Sequence, residues 1–422
     1  LHFVWKHRLL GPGLRTREGE PVEVLSAGTH NYDAGPDFIG ARLRVGDTLW
    51  AGNVEIHLRG SDWARHGHDS DPAYDGVVLH VVGQDDRPAL TSQGRPLATC
   101  ELRHDPALWE NYERLRHNDG WVACQQQLPQ VPAFRARMWL DKVMVEKSQK
   151  KAEEIFRLLD DTRNDWQESF YIFLARSFGF GTNSMPFEAL AKSLPQRILA
   201  KHKDQPMQLE ALLFGQSGLL ETANPLDEYG ESLRREHKFL AHKYGLRPID
   251  GSWWKFSKLR PSGFPTLRIA LFATLTHRSN SLFSKAMEAK NPEELWPLFD
   301  VEASEYWQSH HHFGKKSKKQ SKRLGISSFY RIVANAIVPF LFVYGKSRDK
   351  ADRIETAFDF LDKLPAESNS IVRAWESAGY KAGSLGESLA LVELKKSYCE
   401  PQRCLDCAIG SYLIRNQNSK NR

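Results

Sequence analysis

The stretch from Asn31 to Val82 reads NYDAGPDF (31–38), a short hairpin, GNVEIH (52–57), SDWARHGHDSDPAYD (61–75) and VVLHVV (77–82). Turn-rich Asn31-Tyr32-Asp33-Ala34-Gly35-Pro36 delivers Asp37 onto the start of a strand expected over Phe38 to Val45. Gly46-Asp47 is a hairpin signal, and the returning strand is expected over Thr48 to Leu58. Side chains alternate faces along a strand, so Val54, Ile56 and Leu58 should face a core while Asn53, Glu55 and His57 face the other way together. One strand thus presents a carboxylate and an imidazole side by side, with Asp37 within reach. Val77 to Val82 is a β-branched run that reads as a buried strand, with His80 its one polar residue.

Outward from this core, Val22 and Val24 mark a short apolar segment before Ser26-Ala27-Gly28. Residues 83–120 carry another extended segment and a helix over Pro106 to Arg116. Pro129 and Pro132 mark a boundary, beyond which the pattern turns helical: Ala133 to Leu159, Trp166 to Phe178, Phe187 to Leu194, Leu209 to Leu220, Ser232 to Tyr244, Pro265 to Leu275 and Phe329 to Tyr344. The expected fold is α+β. A β-rich domain with a mixed, hairpin-containing sheet spans residues 1–125, and a mainly helical domain spans 133–422, including a basic loop at 314–323 and a C-terminal cysteine cluster.

The 422 residues are 41% hydrophobic and 26% charged, as in a soluble globular protein. No continuous apolar run nears the ~18 residues of a membrane span; Ile337 to Tyr344 comes closest. No signal peptide is visible, and five cysteines in a long chain argue against a secreted disulfide scaffold, so a cytoplasmic location is expected. The net charge of +6 is unevenly spread: residues 1–120 hold 13 Lys plus Arg against 18 Asp plus Glu, a net of −5, which leaves +11 for the rest. Those 120 residues also hold 9 of the 16 histidines. An acidic, His-rich part suits a cation, and a basic remainder suits a polyanion.

Phosphodiester hydrolysis needs a divalent cation to polarise the phosphoryl oxygen and activate water. Mg²⁺ or Mn²⁺ would take Asp37 and Glu55 as carboxylate ligands, with His57 orienting or deprotonating the water. His66 and His68, two residues apart, are further candidate ligands, and with His57, His80 and Asp71 they suggest Zn²⁺ or Mn²⁺ instead. Trp63 and Tyr74 are candidates to stack on a base or to fill the core. Lys315, Lys316, Lys318, Lys319, Lys322 and Arg323 form a run suited to a DNA or RNA backbone, and Lys258, Arg260 and Arg268 a second basic patch. Cys399, Cys404 and Cys407 follow a C-x4-C-x2-C spacing that suits Zn²⁺ or an iron–sulfur cluster, with Cys124 or Cys100 as fourth ligand.

Pro36-Asp37, a gap of 17 residues, then Glu55-x-His57 resembles the proline-aspartate, acid-x-lysine signature of the restriction-endonuclease-like nuclease superfamily. The resemblance implies metal binding by Asp37 and Glu55, with His57 standing where lysine is usual. Some nucleases of that superfamily tie one upstream cysteine to three downstream ones through an iron–sulfur cluster, and the cysteine pattern is similar in outline. Over most of its length the chain, with GPDF, GNVEIH, LHVV and a terminal YC…RC..CAIG, resembles an uncharacterised bacterial family of unknown function. The functional expectation is a metal-dependent nuclease. The alternatives are a non-catalytic nucleic-acid-binding or scaffold protein on a degenerate nuclease fold, and a zinc hydrolase of small substrates.

Overall fold

The computed structural model describes residues 1–222 and 226–416 and is α+β, a mixed sheet followed by helices. The chain forms two compact units: Leu1–Ala136 together with the segment from Ser397 onward, and Arg137–Lys396. The division differs from the expected 1–125 and 133–422. The helix α4, Ala133–Asp161, begins in the first unit and runs on into the second. The terminal segment with the cysteines groups with the sheet, where the buried Asn111 amide donates to the Ile414 carbonyl at 2.9 Å.

In the first unit, α1 (His2–Lys6) precedes β1 (Val22–Ser26), β2 (Thr29–His30), β3 (Phe38–Val45) and β4 (Thr48–Arg59). Then come α2 (Asp62–Arg65), β5 (Val77–Gln84), β6 (Thr99–Glu101) and α3 (Pro106–Arg116). The sheet order is β1-β3-β4-β5-β6, with β2 paired to β3. β1, β3 and β4 are antiparallel neighbours, whereas β5 is parallel to β4 and β6 to β5. A parallel neighbour requires a crossover, and residues 60–76 supply it, carrying α2, His66 and His68 from the end of β4 to the start of β5.

Alternation in β3 buries Phe38, Ala41, Leu43 and Val45. The register slips between Phe38 and Ala41, where Gly40 takes φ +68°. Such a bulge bends a strand and re-aims its end; here Phe38 pairs with Val54, which sets Asp37 beside Glu55. Trp5, Phe38, Leu43, Val54, Ile56, Leu79 and Val81 form the main core. Leu58 does not join it: at 73% exposed it lies past the covered part of β4, so the expected apolar face ends at Ile56. Trp63, Val77, Ala89 and Leu97 form a second cluster, and each large apolar side chain so buried contributes about 1.5–3 kcal/mol.

The second unit is helical, beginning with the bulk of α4 and continuing with α5 (Trp166–Phe178) and α6 (Ser184–Ser193). Asp165 caps α5 by accepting from the Gln167 and Glu168 amides. Expected Leu209 to Leu220 divides into Pro206–Gln216 and Leu219–Thr222, and the last expected helix belongs to a 22-residue element, Ile326–Ser347, with one π-turn at Val333–Ile337. That element is long and apolar enough in composition to cross a membrane, although Arg331 and Asn335 break its apolar run; two thirds of its apolar 18-residue window is buried inside the protein, as in the core helix of a globular body.

The basic stretch is not a free loop. Lys315–Lys316 pairs with His310–His312 in a small ribbon. Lys322 is buried, and its ammonium donates to the His310 carbonyl at 2.6 Å. Arg323 grips Asp300 through Nε and Nη2 at 3.1 and 2.6 Å. Lys322 is therefore withdrawn from any phosphate contact and Arg323 is engaged, whereas Lys315, Lys316 and Lys318 stay exposed and Lys319 lies 3.4 Å from Glu305.

Candidate metal centre

Glu55 and His57 leave β4 on the side facing the crossover, and both are buried, at 6% and 8% exposed. The strand face expected to be polar is therefore covered at Glu55 and His57, with His66 exposed at its rim. The Asp37 amide donates to Glu55 Oε2 at 3.0 Å, and the Ile56 amide donates to Asp37 Oδ2 at 2.9 Å, a reciprocal clasp across the hairpin. The crossover lowers its histidines onto this pair: His68 Nε2 lies 3.5 Å and His57 Nε2 3.6 Å from Glu55 Oε1. His66 Nδ1 lies 3.1 Å from His57 Nε2. One ligand nitrogen from each of His57, His66 and His68 falls within a 4.8 Å group.

Neighbours fix these rings. His57 Nδ1 meets His80 Nε2 at 2.9 Å, and His80 is fully buried. Tyr74 stacks on His68 with centroids 3.7 Å apart. Trp63, whose indole donates to the Leu90 carbonyl, walls the pocket edge-on to His68. Trp63 is core and Tyr74 is committed to His68, so neither ring is presented to a base. Asp71 stays outside, where its carboxylate accepts from the Ala73 amide and caps a turn.

Burial and proximity set the charges. Burial, and then the charge of Asp37, pushes the Glu55 carboxyl up to about 7. Burial opposes ionisation of Asp37 too, but the hydrogen bond from His2 (Nε2 to Oδ2, 3.0 Å) and the Ile56 amide hold it below the usual carboxylate range. Burial, followed by the positive charge of His66 and His68, pushes His57 down to about 4; burial and His57 push His80 to about 3. The imidazoles of His57 and His80 are thus neutral near pH 7, the state in which a histidine is a ligand.

Donors 2.0–2.1 Å from a tetrahedral ion stand about 3.4 Å apart. The separations of 3.1, 3.5 and 3.6 Å fit that spacing. The donor set is three imidazoles and a carboxylate, with the Asp37 carboxylate adjacent. His80 is placed to hold His57 in the tautomer that leaves Nε2 open. Its signal in the sequence was its isolation as the one polar residue of β5. His2 had none: it reaches Asp37 because Trp5, fully buried with its indole donating to the Ala27 carbonyl, docks α1 against the sheet.

The cysteines lie elsewhere in the same unit. Cys100 is sealed in the sheet core, while burial and then the charges of Cys407 and Cys404 raise the Cys124 thiol to about 12. Of the two candidate fourth thiols, Cys124 is the one near Cys404 and Cys407.

Fold and site together define an α+β protein whose mixed sheet carries a His-rich, two-carboxylate pocket. The chain belongs to the family described as Protein of unknown function (DUF2851), which it matches over residues 1–370. No curated protein and no solved structure matches it.

Proposed function

We propose that the first unit is a metal-dependent hydrolase that cleaves phosphodiester bonds of DNA or RNA. The observation that carries this reading is three imidazoles with ligand nitrogens within 4.8 Å of one another, two of them 3.6 and 3.5 Å from the Glu55 carboxylate, beside a second, ionised carboxylate. Glu55, His57, His66 and His68 would hold the ion. With a fifth coordination position open to water, a divalent cation there would supply a Lewis acid for the phosphoryl oxygen and lower the pKa of an attacking water. Imidazole donors favour Mn²⁺ or Zn²⁺ over Mg²⁺, which prefers oxygen.

In this reading His57 holds the ion instead of orienting water, since Nδ1 is taken by His80 and Nε2 faces Glu55 and His66. The water falls to Asp37, whose Oδ2 is engaged by Ile56 and His2 and whose Oδ1 is left to orient it. Asp37 Oδ1 would take the proton of that water and, with a 25% exposed side chain, release it to solvent, while His2 holds Oδ2. The phosphodiester class rests on the Pro36-Asp37…Glu55-x-His57 resemblance and on the positive balance of residues 121–422. The imidazole-rich donor set favours a second reading, a zinc hydrolase of a small substrate. Histidine in place of lysine at position 57 favours a third, a nucleic-acid-binding protein that cleaves nothing.

Labelled single- and double-stranded DNA and RNA, incubated with Mg²⁺, Mn²⁺, Zn²⁺ or EDTA, separate these readings. Metal-dependent cleavage that disappears in Glu55→Ala is expected. Intact substrates with stoichiometric zinc favour the small-substrate hydrolase, and salt-sensitive binding without cleavage favours the binding protein.

Part of the same proposal is that Cys124, Cys399, Cys404 and Cys407 hold Zn²⁺ or an iron–sulfur cluster, and that the protein works in the reducing cytoplasm. Metal analysis and a visible absorption band on anaerobically purified protein test the thiol site. A colourless, metal-free protein that folds normally removes it.

A further inference from the structure

The second unit contains a cleft of about 390 Å³ lined by Lys151, Arg176 and Arg331 with Phe173 and Phe180, and its lining has no carboxylate. The cations come from three helices: Lys151 from α4, Arg176 from α5 and Arg331 from Ile326–Ser347. Behind the cleft, Arg268 sets its guanidinium 4.2 Å from the centre of the Phe180 ring, and Arg331 sets its own 4.9 Å from the same ring. Two like charges are thus gathered on one aromatic side chain.

Their counter-charges do not balance them. Glu154 is shared by Lys151 and Arg176 at 3.0 and 3.1 Å. Glu188 is divided between Arg176 and Lys192, and Glu367 lies 3.7 Å from Arg331. Among the described residues, no carboxylate lies within ion-pair distance of Arg268; Ser328 Oγ accepts from both of its terminal nitrogens at 3.3 Å, and its Nε is buried with no partner. Burial, and then the charge of Arg331, lowers Arg268 only to about 10, so it stays charged at neutral pH. A buried cation is costly unless an anion compensates it.

The loop that brings Phe180 there is itself strained. Phe180 adopts φ +45°, in the left-handed region that a bulky side chain avoids. Such outliers persist where the surroundings over-determine them, and they cluster at binding sites.

The geometry points to this cleft as a binding site for the phosphate group of a nucleotide, free or within a single strand. Guanidinium forks match phosphate oxygens, and a volume of this size, walled by Phe173 and Phe180, accommodates more than the anion alone. The site is independent of the metal centre, because every residue in it belongs to the other unit.

The test uses the full chain in EDTA, so that it reads binding with no cleavage and stands apart from the hydrolase proposal. The probes are a labelled single-stranded DNA oligonucleotide, AMP and inorganic phosphate, each titrated across about 50–200 mM salt. Wild type is expected to bind at least one of them. The Lys151→Gln/Arg331→Gln double variant should weaken that binding at least about tenfold and lower the oligonucleotide's salt slope by about 1.4. Arg331→Lys, which keeps the charge but loses the fork, should bind between wild type and the double variant. Tight oligonucleotide binding with weak AMP binding identifies a strand; equal affinities identify a free nucleotide. If the double variant misfolds, Lys151→Gln alone should lower the oligonucleotide's slope by about 0.7. The proposal is overturned if wild type binds none of the three probes, or if a folded variant binds with unchanged affinity and slope.

Discussion

At the scale of single residues, three buried groups carry opposing pH dependences. In the metal-free protein the Glu55 carboxyl rises from 4.5 to about 7, so its contribution to stability is fully present below 4.5 and is lost as pH rises through 7. His57 and His80 fall from 6.5 to about 4 and about 3, so their contributions are present above 6.5 and are lost as pH falls through those values. Between pH 4.5 and 6.5 two imidazoles outweigh one carboxyl. Stability in EDTA should therefore fall on acidification, by on the order of 1 kcal/mol per pH unit. Thermal unfolding at several pH values reads this directly, and a midpoint that rises on acidification would contradict the charge states assigned here. His80 gives a second prediction. His80→Phe keeps a buried ring but removes the partner of His57 Nδ1, so metal affinity should drop about 10–100-fold while the fold persists. Calorimetric titration with Mn²⁺ or Zn²⁺ measures the loss.

Among elements, β3, β4 and α5 were legible because each is written locally. Alternating apolar residues around Gly46-Asp47 give the hairpin, and the apolar, Asp-capped run gives Trp166–Phe178. What sequence could not supply was anything set by a distant partner. The burial of Glu55 and His57 depends on the crossover folding back over β4, and the place of His2 depends on Trp5 docking under Ala27. The basic run misled for the same reason: lysine reads as solvated, yet Lys322 lies under His310 and satisfies its carbonyl. Lys322→Ala should accordingly cost about 1–3 kcal/mol, because it leaves that carbonyl unpaired. Lys315→Ala and Lys318→Ala, both on exposed side chains, should change stability by less than about 0.5 kcal/mol. Denaturant melts of the three variants distinguish these outcomes; equal midpoints would mean that Lys322 is as dispensable as its neighbours.

For the whole molecule, chain order and spatial order diverge. The segment after Ser397 belongs with the sheet, and the Asn111–Ile414 hydrogen bond closes a separation of 303 residues. No local pattern announces such a return, although the candidate cysteine set, Cys124 with the terminal three, already paired the two ends. The charge asymmetry was legible from counting alone: the acidic, His-rich first 120 residues contain the clustered His57, His66 and His68 with Glu55 against two of them, whereas the exposed lysine ribbon and the arginine cleft lie in the second unit. The claim at the centre of this account is that those four residues hold a metal ion. It is tested most directly by calorimetric titration of EDTA-stripped protein with Zn²⁺ and Mn²⁺, comparing wild type with Glu55→Ala and His68→Ala. One equivalent of Mn²⁺ per chain that both substitutions abolish is expected, with one equivalent of Zn²⁺ fewer in each variant than in wild type and circular dichroism unchanged. Wild type that binds neither ion, or variants that bind as tightly as wild type, would contradict it.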